Sequence, residues 1–95
     1  MDILGIEALL KEILKEVSVS MVAVYAEAGP IDTDHPLAQE GLSNGTSIVL
    51  DYLEHNEPKI AFEHLLYMVN EPPLTLSATA EAALARLCTV YEIRR

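Results

Sequence analysis

The residues of this chain that could do chemistry are its histidines, its carboxylates and one cysteine. Asp32, Asp34 and His35 stand close together, and carboxylates and imidazoles are ordinary metal ligands. The stretch nevertheless lacks the glycine and glutamate spacing of a calcium loop, and the chain contains no HExxH or ExxH motif. We therefore expect a solvated acidic loop here rather than a metal site.

Two other arrangements are reminiscent of catalytic sites. Asp51 and His55 are four residues apart, so on a helix they would form a local ion pair, and no nucleophile is evident beside them. Cys88 is the single cysteine, which excludes an internal disulfide, fits a reducing compartment and suits packing as a small apolar residue. The glycines form neither a GxGxxG motif nor a phosphate loop. We expect no enzyme activity, no metal and no cofactor.

The strongest signal is the distribution of charge. The formal net charge is −9, and residues 16 to 85 carry eleven carboxylates against one cation, Lys59. Nucleic acid and anionic membrane surfaces require Lys and Arg, so this excess of acid argues against both as partners. It suits either solubility or the attraction of a basic partner. The remaining cations lie towards the two ends of the chain: Lys11, Lys15, Arg86, Arg94 and Arg95.

Length and composition predict a single helical domain over residues 1–95. With 51% hydrophobic and 22% charged residues, the chain can bury a core. No apolar run approaches the ~18–20 residues that span a bilayer. The N-terminus lacks the basic region followed by an apolar stretch that marks a signal peptide. We expect a cytoplasmic protein.

The elements that would position these residues are helices, because apolar residues recur at steps of three and four. The first stripe comprises Ile3, Ile6, Leu10, Ile13 and Val17. Residues 17–28 are ambiguous between strand and helix, and we interpret them as a continuation of this helix, ended by Gly29 and Pro30. Residues 29–46 then form a long irregular loop with at most one helical turn, at 36–40.

Three further helices are predicted after this loop, giving an all-α bundle of about four helices. The second runs from about Thr46 to His55 and would be capped by Ser43 or Thr46. The third runs from Pro58 to about Asn70, stopped by 71–73, and the fourth from the Ser77 cap through Arg94, with Arg94 and Arg95 in its last turn. The residues expected to face inward are Ile48, Val49, Tyr52, Leu53, Ile60, Ala61, Leu65, Met68, Val69, Ala80, Leu84, Leu87, Val90 and Tyr91, with Phe62 and Leu66 on the shoulder.

The run from Ile48 to Leu66, IVLDYLEHNEPKIAFEHLL, resembles the MafI-type small immunity proteins of bacterial polymorphic toxin systems. That family's pattern is an apolar helix, a Gly-Glu turn, a helix with an aliphatic-Ala-x-Glu-x-Leu core, then a hydroxyl cap and a final helix. The similarity covers roughly residues 48–80, with Asn56 in place of the turn glycine. The positions that match are Glu57, Ala61, Glu63, Leu65 and Ser77. The resemblance implies a non-enzymatic inhibitor in which these glutamates determine the fold.

Charge and resemblance together predict an immunity protein that binds a basic toxin domain, expected to be a nuclease, and occludes its active or substrate-binding site. Tyr52 or Tyr25 would serve as an aromatic anchor. The predicted toxin contacts are Asp32, Asp34, Glu40, Asp51 and Glu54, whereas Glu16, Glu27, Glu71 and Glu81 are interpreted as ordinary solvated charges. The alternative is a helical adaptor or regulatory module that pairs two copies through the apolar stripe of the first helix. We expect a monomer or weak dimer in the absence of a partner.

Overall fold

The computed structural model describes residues 3–72 and 74–94, and these residues are all-α. The elements in chain order are α1 (Ile3–Ala28), a short 3-10 helix (Pro36–Ala38), α2 (Gly45–Glu54), α3 (Pro58–Asn70) and α4 (Ala78–Tyr91). No strand occurs in these two ranges, so the ambiguous segment 17–28 is helical. The predicted bundle of four helices with one long irregular loop is confirmed.

The first helix supplies one wall of the core. It is unbroken over 26 residues, about 39 Å at the usual rise per residue. Its predicted stripe faces inward and packs against α2, α3 and α4, although the side chain of Ile3 lies outside the described part. The buried residues are Ile6, Leu10, Ile13, Leu14, Val17 and Met21. Because the chain itself covers this stripe, the stripe cannot pair two copies as the adaptor hypothesis requires.

A left-handed turn joins α2 to α3. Asn56 has φ +59°, and the N–H of Glu57 donates to the Tyr52 carbonyl at 2.9 Å, which closes the end of α2. Asn tolerates this conformation better than most residues, and Pro58 then fits the first turn of α3. The turn predicted from the Asn-Glu-Pro sequence is therefore confirmed.

The predicted cap of α2 is wrong. The helix begins at Gly45, and Asn44 occupies the cap position without a side-chain hydrogen bond. Neither Ser43 nor Thr46 caps it, because the Thr46 hydroxyl instead forms a 2.6 Å hydrogen bond with the Ser18 hydroxyl of α1. A Cβ at Gly45 would lie only 2.5 Å from the Met68 sulfur, so this glycine lets α2 approach α3 closely.

Three assignments on α3 are also corrected. Ile60 is 40% exposed, whereas Phe62 and Leu66, placed on the shoulder from sequence, are buried. The buried face of α3 therefore includes Phe62 and Leu66 and excludes Ile60. It is wider than predicted on that side because both α1 and α2 pack on this helix.

The fourth helix ends earlier than predicted. Glu92 is left-handed with φ +54°, and the N–H of Ile93 donates to the Cys88 carbonyl at 2.9 Å, so the helix stops at Tyr91. Arg94 therefore lies beyond the helix rather than in its last turn, and Val90 is 41% exposed rather than inward. The assignments of Pro73 to a helix stop and Arg95 to the last turn lie outside the described residues.

Aromatic and histidine side chains anchor the irregular loop from 29 to 44 at defined points. The Tyr25 hydroxyl of α1 donates to the Leu37 carbonyl, and the Tyr67 hydroxyl of α3 donates to the Glu40 carbonyl at 3.0 Å. His64 Nε2 lies 2.9 Å from the Gly41 carbonyl, to which it donates. The loop also buries Leu37 and Leu42. It is therefore irregular in shape but held in place by α1 and α3.

Candidate protein-binding surface

The two loop aspartates lie at the surface in a short turn. Asp32 and Asp34 are exposed, and the N–H of His35 donates to the Asp32 carbonyl at 3.0 Å. His35 Nδ1 accepts the N–H of Leu37 at 3.0 Å, so this imidazole caps the 3-10 helix. Within 3–72 and 74–94, no three His, Cys, Asp or Glu side chains converge where they could hold a metal ion.

The α2 acids surround a different histidine. His55 Nδ1 lies 2.7 Å from the Asp51 carbonyl, to which it donates, and 3.6 Å from the Asp51 carboxylate. The backbone hydrogen bond from Asp51, followed by the charge of its carboxylate, raises the pKa of His55 above its ordinary value, with smaller contributions from Glu54 and Glu57. The local link predicted from the spacing of Asp51 and His55 is confirmed, and Glu54 is exposed as expected.

Glu40 belongs to a separate acidic group that includes Glu71. The Tyr67 hydroxyl donates to the Glu40 carbonyl, and Gln39 Nε2 donates to the Glu71 carboxylate at 3.1 Å. Burial raises the pKa of Tyr67, and the charges of Glu71 and Glu40 add to this increase. The five predicted contact acids therefore fall into three groups: Asp32 with Asp34 in the loop turn, Asp51 with Glu54 on α2, and Glu40, which lies with Glu71 near Tyr67. Glu71 was interpreted from sequence as an ordinary solvated charge.

A groove of about 390 Å³ lies where α1 and α3 end. It is lined by Val24, Glu27, Ala28, His35, Pro36, Leu37, Glu71 and Pro72. Glu27 is in the last turn of α1 and Glu71 caps the C-terminus of α3, where the helix dipole is negative and where neither helix has a basic residue. Two carboxylates thus stand at two negative helix ends, an arrangement that favours the approach of a cationic group.

Neither candidate aromatic anchor is fully exposed. Tyr52 is half-buried and borders a shallow hollow with Ser47, Ile48 and Asp51. Tyr25 is also half-buried and uses its hydroxyl to hold the loop at Leu37, and burial raises its pKa. Tyr52, which lies beside Asp51, is therefore the better candidate for contact with a partner.

The residues that carry the family resemblance have different structural roles. Ala61 and Leu65 are fully buried, and the N–H of Ala80 donates to Ser77 Oγ at 3.1 Å, so Ser77 caps α4 as predicted. Glu57 stands at the N-cap of α3 without a side-chain hydrogen bond, and Glu63 is exposed. Both carboxylates are therefore at the surface, Glu57 at the positive end of the α3 dipole, and their role in determining the fold stays a prediction.

Glu16, interpreted from sequence as an ordinary solvated charge, has a structural role in linking two helices. Its carboxylate accepts the backbone N–H of Ser77 at 2.9 Å and so links α1 to the start of α4. The two residues are 61 positions apart in the chain, and neither periodicity nor spacing indicates this contact.

The outward face of α1 is apolar in its second half. Val19 is 69% exposed and Val22 is 71% exposed, and Ala23 and Ala26 lie on the same side of the helix. Sequence reasoning assigned only the inward stripe. The sequence feature that could have indicated an apolar outward face is the absence of any charged residue from Val17 to Ala26.

Comparison of the chain with family models, curated proteins and solved structures returned no match. The MafI-type resemblance of residues 48–80 therefore stays a prediction. None of the helices in the described ranges is long and apolar enough to cross a membrane. The described residues form an all-α fold with three acidic groups and an exposed apolar helix face.

Proposed function

We propose that this protein is an immunity protein that binds and neutralises a cognate toxin domain, expected to be a basic nuclease, by occluding its active or substrate-binding site. One observation carries the proposal: residues 16 to 58 contain eight carboxylates and no Lys or Arg. This stretch supplies the loop and α2, where the predicted contact residues lie. A surface of this kind is complementary to a basic protein and repels acidic ones.

The physical basis is competition with nucleic acid for the same cations. A nuclease binds phosphates through Lys and Arg, so its active-site cleft has a positive potential. Exposed carboxylates at Asp32, Asp34 and Glu40, with Asp51 and Glu54 on α2, would occupy the positions of phosphates. Electrostatic attraction would also accelerate the encounter of the two proteins, especially at low salt.

The acidic groups on α2 and near Tyr67 suggest how such an interface is built. Tyr52 borders the same hollow as Asp51 and would contribute an amphipathic ring at its centre, with carboxylates at its rim. Glu71 and Glu27 extend the acidic surface on the side of Glu40. We add these two glutamates to the five acids predicted from sequence.

Charge reversal tests the proposal, with a toxin domain encoded beside this gene as the partner. The variant carries Asp32→Lys, Asp34→Lys and Glu40→Lys, three charge reversals within the loop. We expect its association rate at low salt to fall about 10- to 100-fold and its salt dependence to flatten. Stopped-flow measurements over a range of salt concentrations give both quantities.

A matched control distinguishes the effect of the loop carboxylates from the effect of the net charge of the protein. Glu12→Lys, Glu63→Lys and Glu92→Lys produce the same change in net charge at exposed positions outside the loop and α2. The control variant should associate faster than the loop variant. Equal rates for the two would contradict a local contact at the loop, and failure of the wild type to bind or inhibit the adjacent toxin would refute the immunity function.

A second candidate is the helical adaptor that acts as a homodimer. The predicted stripe of α1 is buried, so this candidate depends on the opposite side of the helix, where Val19 and Val22 are exposed. Sedimentation separates the two functions, because an adaptor forms a stable homodimer alone whereas an immunity protein forms a stoichiometric complex with its toxin.

A further inference from the structure

The groove at the ends of α1 and α3 combines apolar walls with carboxylates from two helices. Leu37 and Pro72 line it and are buried, and Val24 is half-buried. Glu27 and Glu71 also line it and are exposed. Apolar surface beside exposed negative charge suits a group that has an apolar stem and a cationic end.

The two helix ends add to the negative potential of the groove. Proline has no N–H, so the carbonyls four residues before Pro30 and Pro72, those of Ala26 and Met68, cannot receive the next helical hydrogen bond. Unpaired carbonyls in the last turn carry the negative end of the helix dipole. A hydrogen-bond donor with a positive charge is therefore favoured here over a neutral one.

The lysines of the two helices are too distant to neutralise the groove. Lys15 precedes Glu27, and Lys59 precedes Glu71, by more than three helical turns. Along a helix this separation is about 18 Å. Surface charges more than about 10 Å apart are largely screened at 0.1 M salt. The two glutamates therefore keep their charge available to an incoming cation.

The arginines and the histidine of the described residues leave this charge in place as well. The helix α4 begins beside Glu16 and then shares a hollow with the first half of α1. It therefore carries Arg86 away from the groove, and Arg94 follows its far end. His35 lines the groove, but its Nδ1 accepts the N–H of Leu37, which requires an imidazole that is unprotonated at that nitrogen.

We propose that this groove receives the side chain of one arginine from a basic partner protein. A planar guanidinium can donate to a carboxylate from each helix, and it is more weakly hydrated than the ammonium of lysine. Its aliphatic stem would cover Leu37 and Pro72. A volume of about 390 Å³ is near the lower end of the roughly 300–1,000 Å³ of small-ligand sites, so it suits one side chain rather than a helix.

That the arginine belongs to the toxin rests on the proposed function, whereas the chemistry of the groove does not. The test therefore uses n-butylguanidinium, which has the stem and the head of an arginine side chain. In an NMR titration at constant ionic strength, it should shift the backbone amides of Val24, Glu27 and Leu37, with a Kd of roughly 1–10 mM.

Two related cations test which part of the probe is recognised. The guanidinium ion lacks the stem and n-butylammonium lacks the planar head, so each should bind at least about 3-fold more weakly. Equal affinity for n-butylammonium would refute the choice of arginine. Equal affinity for the guanidinium ion would refute a contribution from the apolar walls.

Glutamine variants test the two carboxylates. Glu27→Gln and Glu71→Gln each remove one charge with little change in size and should weaken binding of n-butylguanidinium about 2- to 5-fold. Glu63→Gln is the matched control, because it removes the same charge at an exposed position of α3 outside the groove. The amide spectra show whether each variant is folded. Groove variants that bind as tightly as the control would overturn the proposal.

The outcomes with the probe and with the toxin are separable. If n-butylguanidinium binds as described but the adjacent toxin is not bound, the arginine site stands and the immunity function fails. If the toxin is neutralised but n-butylguanidinium leaves the groove amides unshifted, the arginine site is refuted and the immunity function stands.

Discussion

At the scale of single residues, helical spacing predicts local contacts and fails for contacts through the fold. The Asp51–His55 link and the Ser77 cap follow from separations of three and four residues. The Glu16 contact with the N–H of Ser77 joins residues 61 apart, and no local pattern indicates it. The same reason explains why Glu71 was not grouped with Glu40, since their association depends on where Tyr67 meets the loop.

Replacement of Tyr91 by Phe should leave the protein equally stable or more stable. The Tyr91 hydroxyl is buried and has no hydrogen-bond partner among the described atoms, while its ring packs 5.9 Å from Phe62. Loss of an unsatisfied hydroxyl removes a desolvation cost of about 1 kcal/mol or more and keeps the ring contact. Urea denaturation of the variant gives the change in the free energy of unfolding.

Tyr67→Phe provides the comparison for that variant, because its hydroxyl does donate a hydrogen bond, to the Glu40 carbonyl. We expect a loss of about 0.5–1.5 kcal/mol. If Tyr91→Phe destabilises as much as Tyr67→Phe, the Tyr91 hydroxyl has a partner in solution.

The His55 contacts predict a dependence of stability on pH. Its pKa is raised in the folded state, chiefly by the hydrogen bond to the Asp51 carbonyl, so folding favours the protonated imidazole. This contribution is fully present below the unfolded pKa and is lost as the pH rises through the higher folded pKa. Urea midpoints measured from about pH 5 to pH 8.5 should therefore fall less in His55→Gln than in the wild type. An NMR pKa at or below that of an unstructured peptide would contradict the assignment.

At the scale of elements, the sequence predicted which segments are helices and turns. It was less accurate on which face of a helix is buried and on where α4 ends. Gly29-Pro30 and Asn56-Glu57-Pro58 mark breaks through their backbone preferences, so the ends of α1 and α2 were placed within about one residue. The end of α4 depends on Glu92 taking a left-handed conformation, which its residue type does not favour. The outward face of α1 was missed because a segment that is apolar on both sides has no periodic contrast.

Ser77 makes two hydrogen bonds that can be removed separately, one to Glu16 of α1 and one to the N–H of Ala80 in the first turn of α4. Ser77→Ala removes the cap on the Ala80 N–H and should cost about 1 kcal/mol. Glu16→Ala removes the acceptor for the backbone N–H of Ser77 and should cost about 0.5–1.5 kcal/mol. Glu16→Gln keeps an oxygen acceptor and should cost less than Glu16→Ala.

The double variant Ser77→Ala, Glu16→Ala checks that the two bonds are independent. Ser77→Ala leaves its own backbone N–H in place, so the losses measured by urea denaturation should add to within about 0.5 kcal/mol. A double variant no less stable than Ser77→Ala alone would show that the Glu16 bond requires the cap.

At the scale of the whole molecule, the uneven distribution of charge along the sequence leaves some elements without any Lys or Arg. Cations are absent from residues 16–58, which form the second half of α1, the loop and α2, whereas Lys11 and Lys15 lie in the first half of α1. The predicted toxin contacts therefore lie in the part of the chain that has no Lys or Arg to repel a basic partner.

The rate at which the single cysteine reacts with a thiol reagent reports on local opening of this fold. Cys88 is half-buried on α4, within the set of side chains that pack against the core. Because the thiol is only partly covered, a reagent reacts with it slowly in the folded state and faster when α4 moves away from the core, so an increase in the labelling rate reports opening of that helix. The wild-type chain thus reports on its own local unfolding at a single known position, without the introduction of a probe.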